Sequence, residues 1–160
     1  MQTFLGTLGF SWLGLVFLVG LFAPNIAWGR SVPEGYKELS ARESRVLLGF
    51  ERVGQVLTTC CGLVFVRATA TTASTVLLAL ATACMVLYEA AWTRYFARGR
   101  TIELMHRPLL GVPLPLATLP VAAFVLLGLG VASPALVVSA VILGIGHIGI
   151  HAGHVREMQG

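Results

Sequence analysis

Apolar residues run along this chain in long blocks separated by short polar stretches, and the blocks have the length needed to cross a bilayer. A hydrocarbon core of about 30 Å takes roughly 20 predominantly apolar residues in helical form. Five such blocks are predicted, at about residues 4–28, 41–66, 75–95, 112–131 and 135–155. The pattern therefore predicts an all-α fold, a polytopic transmembrane helix bundle of five spans forming a single domain over residues 1–160. Ser40-Ala-Arg-Glu43 reads as a capping box opening the second span. The fourth span starts irregularly, with prolines at 108, 113, 115 and 120 inside an apolar run. Proline removes a backbone donor and pushes the preceding residue toward extended geometry. Non-helical backbone at membrane depth is tolerated only where protein buries it or where it lines a wet cavity. Residues 112–119 are expected either to form a broken start lining a cavity beside Glu51, Glu89 and His147, or to be an ordinary Pro-kinked helix start.

Composition supports the membrane assignment. Only 11% of the 160 residues are charged, against about 25% in a soluble domain, which leaves no room for a separate soluble domain. The net charge of +4 does not point to nucleic acid, because the basic residues gather in two connectors. Arg30, Lys37, Arg42 and Arg45 lie in the first connector; Arg98, Arg100 and Arg107 lie in the third, with Arg94 beside it. The second connector has Arg67 alone, and the fourth has no basic residue. By the positive-inside rule the N-terminus lies outside, while connectors one and three and the C-terminus are cytoplasmic. The expected location is the bacterial inner membrane, in multi-pass form. No charge precedes the first block, so a cleaved signal peptide is not expected. Cys60, Cys61 and Cys84 form no C-x-x-C and read as small hydrophobes.

Chemistry is expected where ionisable residues fall inside the spans, since such residues are costly in lipid and mark functional sites. His147, His151 and His154 are spaced by four and three residues, which puts three imidazoles on one helical face within about 60°. Counted from the outer ends of their spans, Glu51, Glu89, His147 and His151 share a depth of roughly 18–24 Å, in the cytoplasmic leaflet. Glu51, Glu89 and His147 are the expected catalytic groups, as acid, base or proton shuttle. Gln55, Tyr88, Trp92 and Arg52 are the expected ligand contacts, although Arg52 is turned about 100° from Glu51 and is also placed to snorkel. His147, His151 and Glu89 are the expected ligands of a divalent metal, because His at i, i+4 with a carboxylate from another helix suits helix-borne zinc or iron. Haem ranks lower, since only the fifth span supplies several histidines. His154 is expected at the membrane boundary in contact with water, and His106 in an exposed basic loop.

Several segments resemble a group of small bacterial integral membrane proteins: Pro33-Glu-Gly-Tyr36, Phe50-Glu-Arg-Val-Gly-Gln55, Tyr88-Glu89 with Trp92 and Arg94-Tyr-Phe96, Gly111-Val-Pro-Leu-Pro115, and Gly146-His-Ile-Gly-Ile-His151. The resemblance spans most of the chain and implies a multi-span membrane fold, without an activity. The several His boxes of membrane desaturases and hydroxylases are absent, as is the Arg-His-Pro signature of isoprenylcysteine methyltransferases. Three functions stay open: a buried site binding a metal or small ligand, with or without catalysis; a small proton- or ion-coupled carrier; and a non-catalytic accessory subunit of a membrane complex. The expected partners are membrane lipid, a small molecule or ion, and a second copy or partner subunit, with no nucleic acid.

Overall fold

The computed structural model describes residues 9–64 and 71–159, with the backbone of 2–3 and 6–7. Among the described residues the chain forms seven helices and one short strand pair. Near the N-terminus β1 (Gln2–Thr3) pairs antiparallel with β2 (Gly6–Thr7). Gly9 N and Ser11 N then donate to the carbonyls of Val64 and Leu63, each at 2.9 Å. Helix α1 (Trp12–Gly29) opens only after Ser11, whose Oγ accepts from Gly14 N at 2.9 Å. The first apolar block was expected to be helical from about residue 4; instead Gly6 and Thr7 lie in β2, Gly9 and Ser11 pair with Val64 and Leu63, and the helix opens only after the capping serine.

Helix α2 (Tyr36–Ser40) is a short turn in the first connector, followed by α3 (Arg45–Val64). The expected capping box does not form. Ser40 Oγ donates back to the Lys37 carbonyl at 3.0 Å, and the Glu43 side chain is held by a histidine of the last helix. The expected end of this span at 65–66, and Arg67, lie outside the described residues. Helix α4 (Thr72–Ala97) is capped by Thr71, and α5 (Ile102–His106) by Thr101 inside the basic third connector. Helices α6 (Pro115–Gly130) and α7 (Pro134–Gln159) complete the chain.

Helices α1, α4 and α7 are long and apolar enough to cross a membrane. Helix α6 is apolar but only 16 residues long, about 24 Å. Helix α3 has 20 residues but carries Arg45, Glu51 and Arg52.

The irregular start of the fourth block is resolved into two parts. Leu109 and Val112 exchange backbone hydrogen bonds of 3.1 and 2.8 Å around Leu110 (φ 50°) and Gly111 (φ 82°), the two left-handed central residues of a type I′ turn. Leu114 (φ 47°) leads into Pro115 at the first helical position, where a missing N–H costs nothing. Non-helical backbone therefore stops at residue 114, and 115–119 are helical rather than broken. The guanidinium of Arg94 donates to the carbonyls of Pro108 (2.7 Å) and Arg107 (2.5 Å), and Thr118 Oγ1 to that of Pro113 (2.9 Å). Side chains of α4 and α6 thus supply the hydrogen bonds that this stretch of backbone cannot make to itself.

The closest helix packing joins α3 to α7, with α6 wedged against α4 and α7. A methyl group on Gly146 would collide with the backbone of Glu51 and Leu47, and one on Gly54 with that of Leu143. These two glycines let the α3 and α7 backbones meet, as small residues do between membrane helices. That contact sets Glu51 opposite His147.

Candidate functional site

All four histidines of the chain converge. Along α7 the ring centroids of His147 and His151 are 4.7 Å apart, and those of His151 and His154 5.9 Å. Helix α5 adds His106, 5.1 Å from His151 and 5.5 Å from His154. A carboxylate stands at each end of the row. His147 Nδ1 donates to Glu51 Oε1 at 2.5 Å, and His154 Nε2 to Glu43 Oε1 at 2.9 Å. His106 Nδ1 donates to the Ile102 carbonyl at 2.9 Å. The opposite ring nitrogens of His106 and His154, and Nδ1 of His151, are buried without a partner among the described residues.

Two histidines therefore depart from expectation. His154 is 2% exposed rather than in contact with water at a boundary, because α2 and the turn after it fold over this end of α7 and bring Tyr36 and Glu43 onto its ring. His106 is 5% exposed rather than loose in a loop, because α5 forms within the connector and turns its last residue inward. Burial pushes the His106 imidazole below the ordinary histidine range, partly offset by the Ile102 carbonyl, which keeps it neutral at pH 7. Burial, and secondarily the charge of Glu51, raises the Glu43 carboxyl above its usual range, and burial likewise raises the Tyr36 phenol.

Two small cavities meet at this cluster. One, of about 150 Å³, is lined by Asn25, Trp28, Glu51, Trp92, His147 and His151, among others. At about 30 Å³ per water it has room for roughly five waters or one small molecule. The other, of about 140 Å³, is lined by Leu21, Asn25, Glu51, Gln55, Pro120 and His147, among others. The Glu51–His147 pair and Asn25 wall both. The indole N–H groups of Trp28 and Trp92 at the first cavity have the Tyr95 and Tyr88 hydroxyls as polar neighbours, without a hydrogen bond of good geometry.

Of the expected site residues, Glu51, His147, His151, Gln55 and Trp92 line one or both of these cavities. Tyr88 contributes one step back. Asn25 Nδ2 donates to Tyr88 Oη at 2.7 Å and to the Leu21 carbonyl at 2.6 Å, in the turn that Pro24 opens. Tyr88 thereby positions a residue that lines both cavities. Arg52 is exposed and lines neither cavity. Glu89 does not join the histidines. Its Oε1 is buried against Gly20 of α1 without a partner among the described residues, and Gly20 lies five residues, about 7.5 Å, before Asn25. Helix α4 turns Tyr88 and Trp92 inward, and Glu89 follows Tyr88 by about 100°. The expected ligand set of His147, His151 and Glu89 is therefore not assembled. Among the described residues, no three His, Cys, Asp or Glu side chains stand close enough to hold a metal ion. Asn25, Trp28, Tyr36 and Glu43 were not anticipated; a polar Asn25 beside Pro24 in an apolar helix was the signal available.

Fold and site together define a helical bundle in which three helices are long and apolar enough to cross a membrane, with a buried histidine–carboxylate cluster. Comparison with protein-family models, with curated proteins and with solved structures finds no match to this chain.

Proposed function

We propose that this chain is a five-span protein of the bacterial plasma membrane, N-terminus outside, that binds a small polar ligand beside His147 and His151 and exchanges protons with it. The observation that carries the reading is the buried, unpartnered Nδ1 of His151, whose ring lines the 150 Å³ cavity and touches the rings of His106, His147 and His154. Such an atom costs about 1–3 kcal/mol if left unpaired, which favours an occupant of the cavity that bonds to it. Glu51 and Glu43 fix the tautomers of His147 and His154, and the Glu51–His147 hydrogen bond is the place where a proton changes hands. Asn25 and Gln55 orient the ligand. A fourth span is supported by α3, which turns Glu51 toward α7 and leaves Val46, Val53, Val56 and Val64 exposed, an apolar face suited to lipid; the apolar helix α6 supplies the fifth.

A divalent metal is the second reading, favoured by one specific observation. His106, His147 and His154 each have one ring nitrogen held by a carbonyl or carboxylate, as metal-ligating histidines do. The ligands would then be His106, His151 and His154 without Glu89, and the rings would have to close up around the ion. Both readings are tested on the protein in lipid nanodiscs, by metal analysis and by pH titration of the ¹⁵N-labelled imidazoles. The ligand reading expects coupled titrations that shift together in Glu51→Gln. Stoichiometric metal that disappears in His151→Ala selects the second reading. Four independent, unperturbed titrations without bound metal would sink both.

A further inference from the structure

An open groove of about 980 Å³ lies at the same end of the bundle as the histidine cluster, and His106 forms part of its wall. Its cationic side chains are Arg98 after α4, Arg107 after α5 and Arg156 near the end of α7. All three are exposed, and none makes an ion pair among the described residues. Glu103 is the one acidic residue lining the groove, so the charge there is net positive. Between the arginines the surface is apolar, with Leu104, Leu114, Val155 and Met158 in its lining. Arg94 holds the carbonyls of Arg107 and Pro108 from below, which fixes the loop that carries one of the three cations.

Unpaired guanidinium groups around an apolar floor match an amphiphile with an anionic head. In the orientation proposed above, this end faces the cytoplasm, where the leaflet carries anionic lipid. We infer that the groove binds an anionic phospholipid, the arginines taking its phosphate and the apolar floor the start of an acyl chain. Arginine suits this role because its planar fork pairs with two phosphate oxygens at once. The inference rests on the proposed membrane orientation and is independent of what the histidines bind.

The test is native mass spectrometry of the full chain released from nanodiscs of phosphatidylcholine and phosphatidylglycerol in equal amounts. Wild type is expected to retain phosphatidylglycerol preferentially. Near the membrane surface each arginine contributes about fivefold, so Arg98→Gln, Arg107→Gln and Arg156→Gln combined should lower the preference about 100-fold. Arg30→Gln, outside the groove, should leave it unchanged, and lysine at all three groove positions should keep most of it. Thermal unfolding of each variant confirms that it is folded. Equal retention of both lipids by wild type, or undiminished preference in the triple glutamine variant, would overturn the proposal. So would complete displacement of the lipid by inorganic phosphate, which would mark a site for a soluble anion. Retention of neither lipid would overturn it too.

Discussion

Glu51 and Glu89 count to similar depths along two consecutive helices, α3 and α4, yet they meet opposite surroundings. Glu51 lies where two glycines bring α3 and α7 together; its Oε1 accepts from His147 at 2.5 Å, and it walls both small cavities. Glu89 lies where α4 passes α1, with Oε1 against Gly20 and no partner among the described residues. The seam between α1 and α4 is also much looser than that between α3 and α7. Depth alone therefore does not make a carboxylate part of a site. What matters is whether the backbone behind it comes close enough to present a second polar side chain.

The largest effect should come from separating those backbones. Gly146→Leu would force α7 away from Glu51 and Leu47, where only backbone atoms could give way. A loss of about 3 kcal/mol or more is expected, with disappearance of the Glu51–His147 bond. At the looser seam, Gly20→Ala meets only the ends of Met85 and Glu89, at 3.4 to 3.5 Å, and should cost less than about 1 kcal/mol. Thermal or denaturant unfolding in detergent compares the two. If both glycines proved equally sensitive, the difference between the seams would be wrong. Next in size, Glu51→Ala strips His147 Nδ1 of its acceptor and should cost about 1–3 kcal/mol. Glu89→Gln removes no hydrogen bond seen among the described residues, and should change stability by less than about 1 kcal/mol.

The same comparison shows what was legible from residue spacing. That Glu51 and His147 lie at one level follows from counting residues along helices, and the structure joins them. That Glu89 lies near the same level follows too, but its direction depends on which neighbour covers α4. Apolar helices carry little amphipathic signal, so that direction could not be read. The break before α6 was readable because proline and positive-φ residues act locally, although the helix recovers at Pro115 rather than after residue 119. His106 and His154 were misplaced for a different reason: both are buried by connectors that fold inward, α5 in one case and α2 with its following turn in the other. Connector folding is a tertiary event with no periodicity to announce it.

Acid should report that burial. His106 is held neutral by burial and faces the rings of His151 and His154. Its folded value is depressed, so the unfolded chain takes up a proton first as pH falls below about 6.5. Its contribution to stability is full above that point and declines toward the folded value, with a slope of at most about 1.4 kcal/mol per pH unit. The raised Glu43 acts in the opposite sense, its share being greatest in acid and lost as pH rises through its folded value. His106→Gln should therefore flatten the loss of melting temperature between pH 6.5 and 5. An unchanged acid slope would return His106 to the exposed loop.

The smallest expected effect lies one residue from the site. Arg52 follows Glu51 on α3, but the helical turn of about 100° carries it out to the exposed surface. Arg52→Gln should change stability by less than about 0.5 kcal/mol, within the range of surface substitutions. It should also leave the ¹⁵N resonances of His147 where they are, whereas Glu51→Gln should move them. The pair of variants differs by one position in sequence and by about 100° around the helix. If Arg52→Gln perturbed His147 as strongly as Glu51→Gln, the cluster would be responding to the charge of α3 as a whole, and the bond between one carboxylate and one imidazole would not be its organising contact.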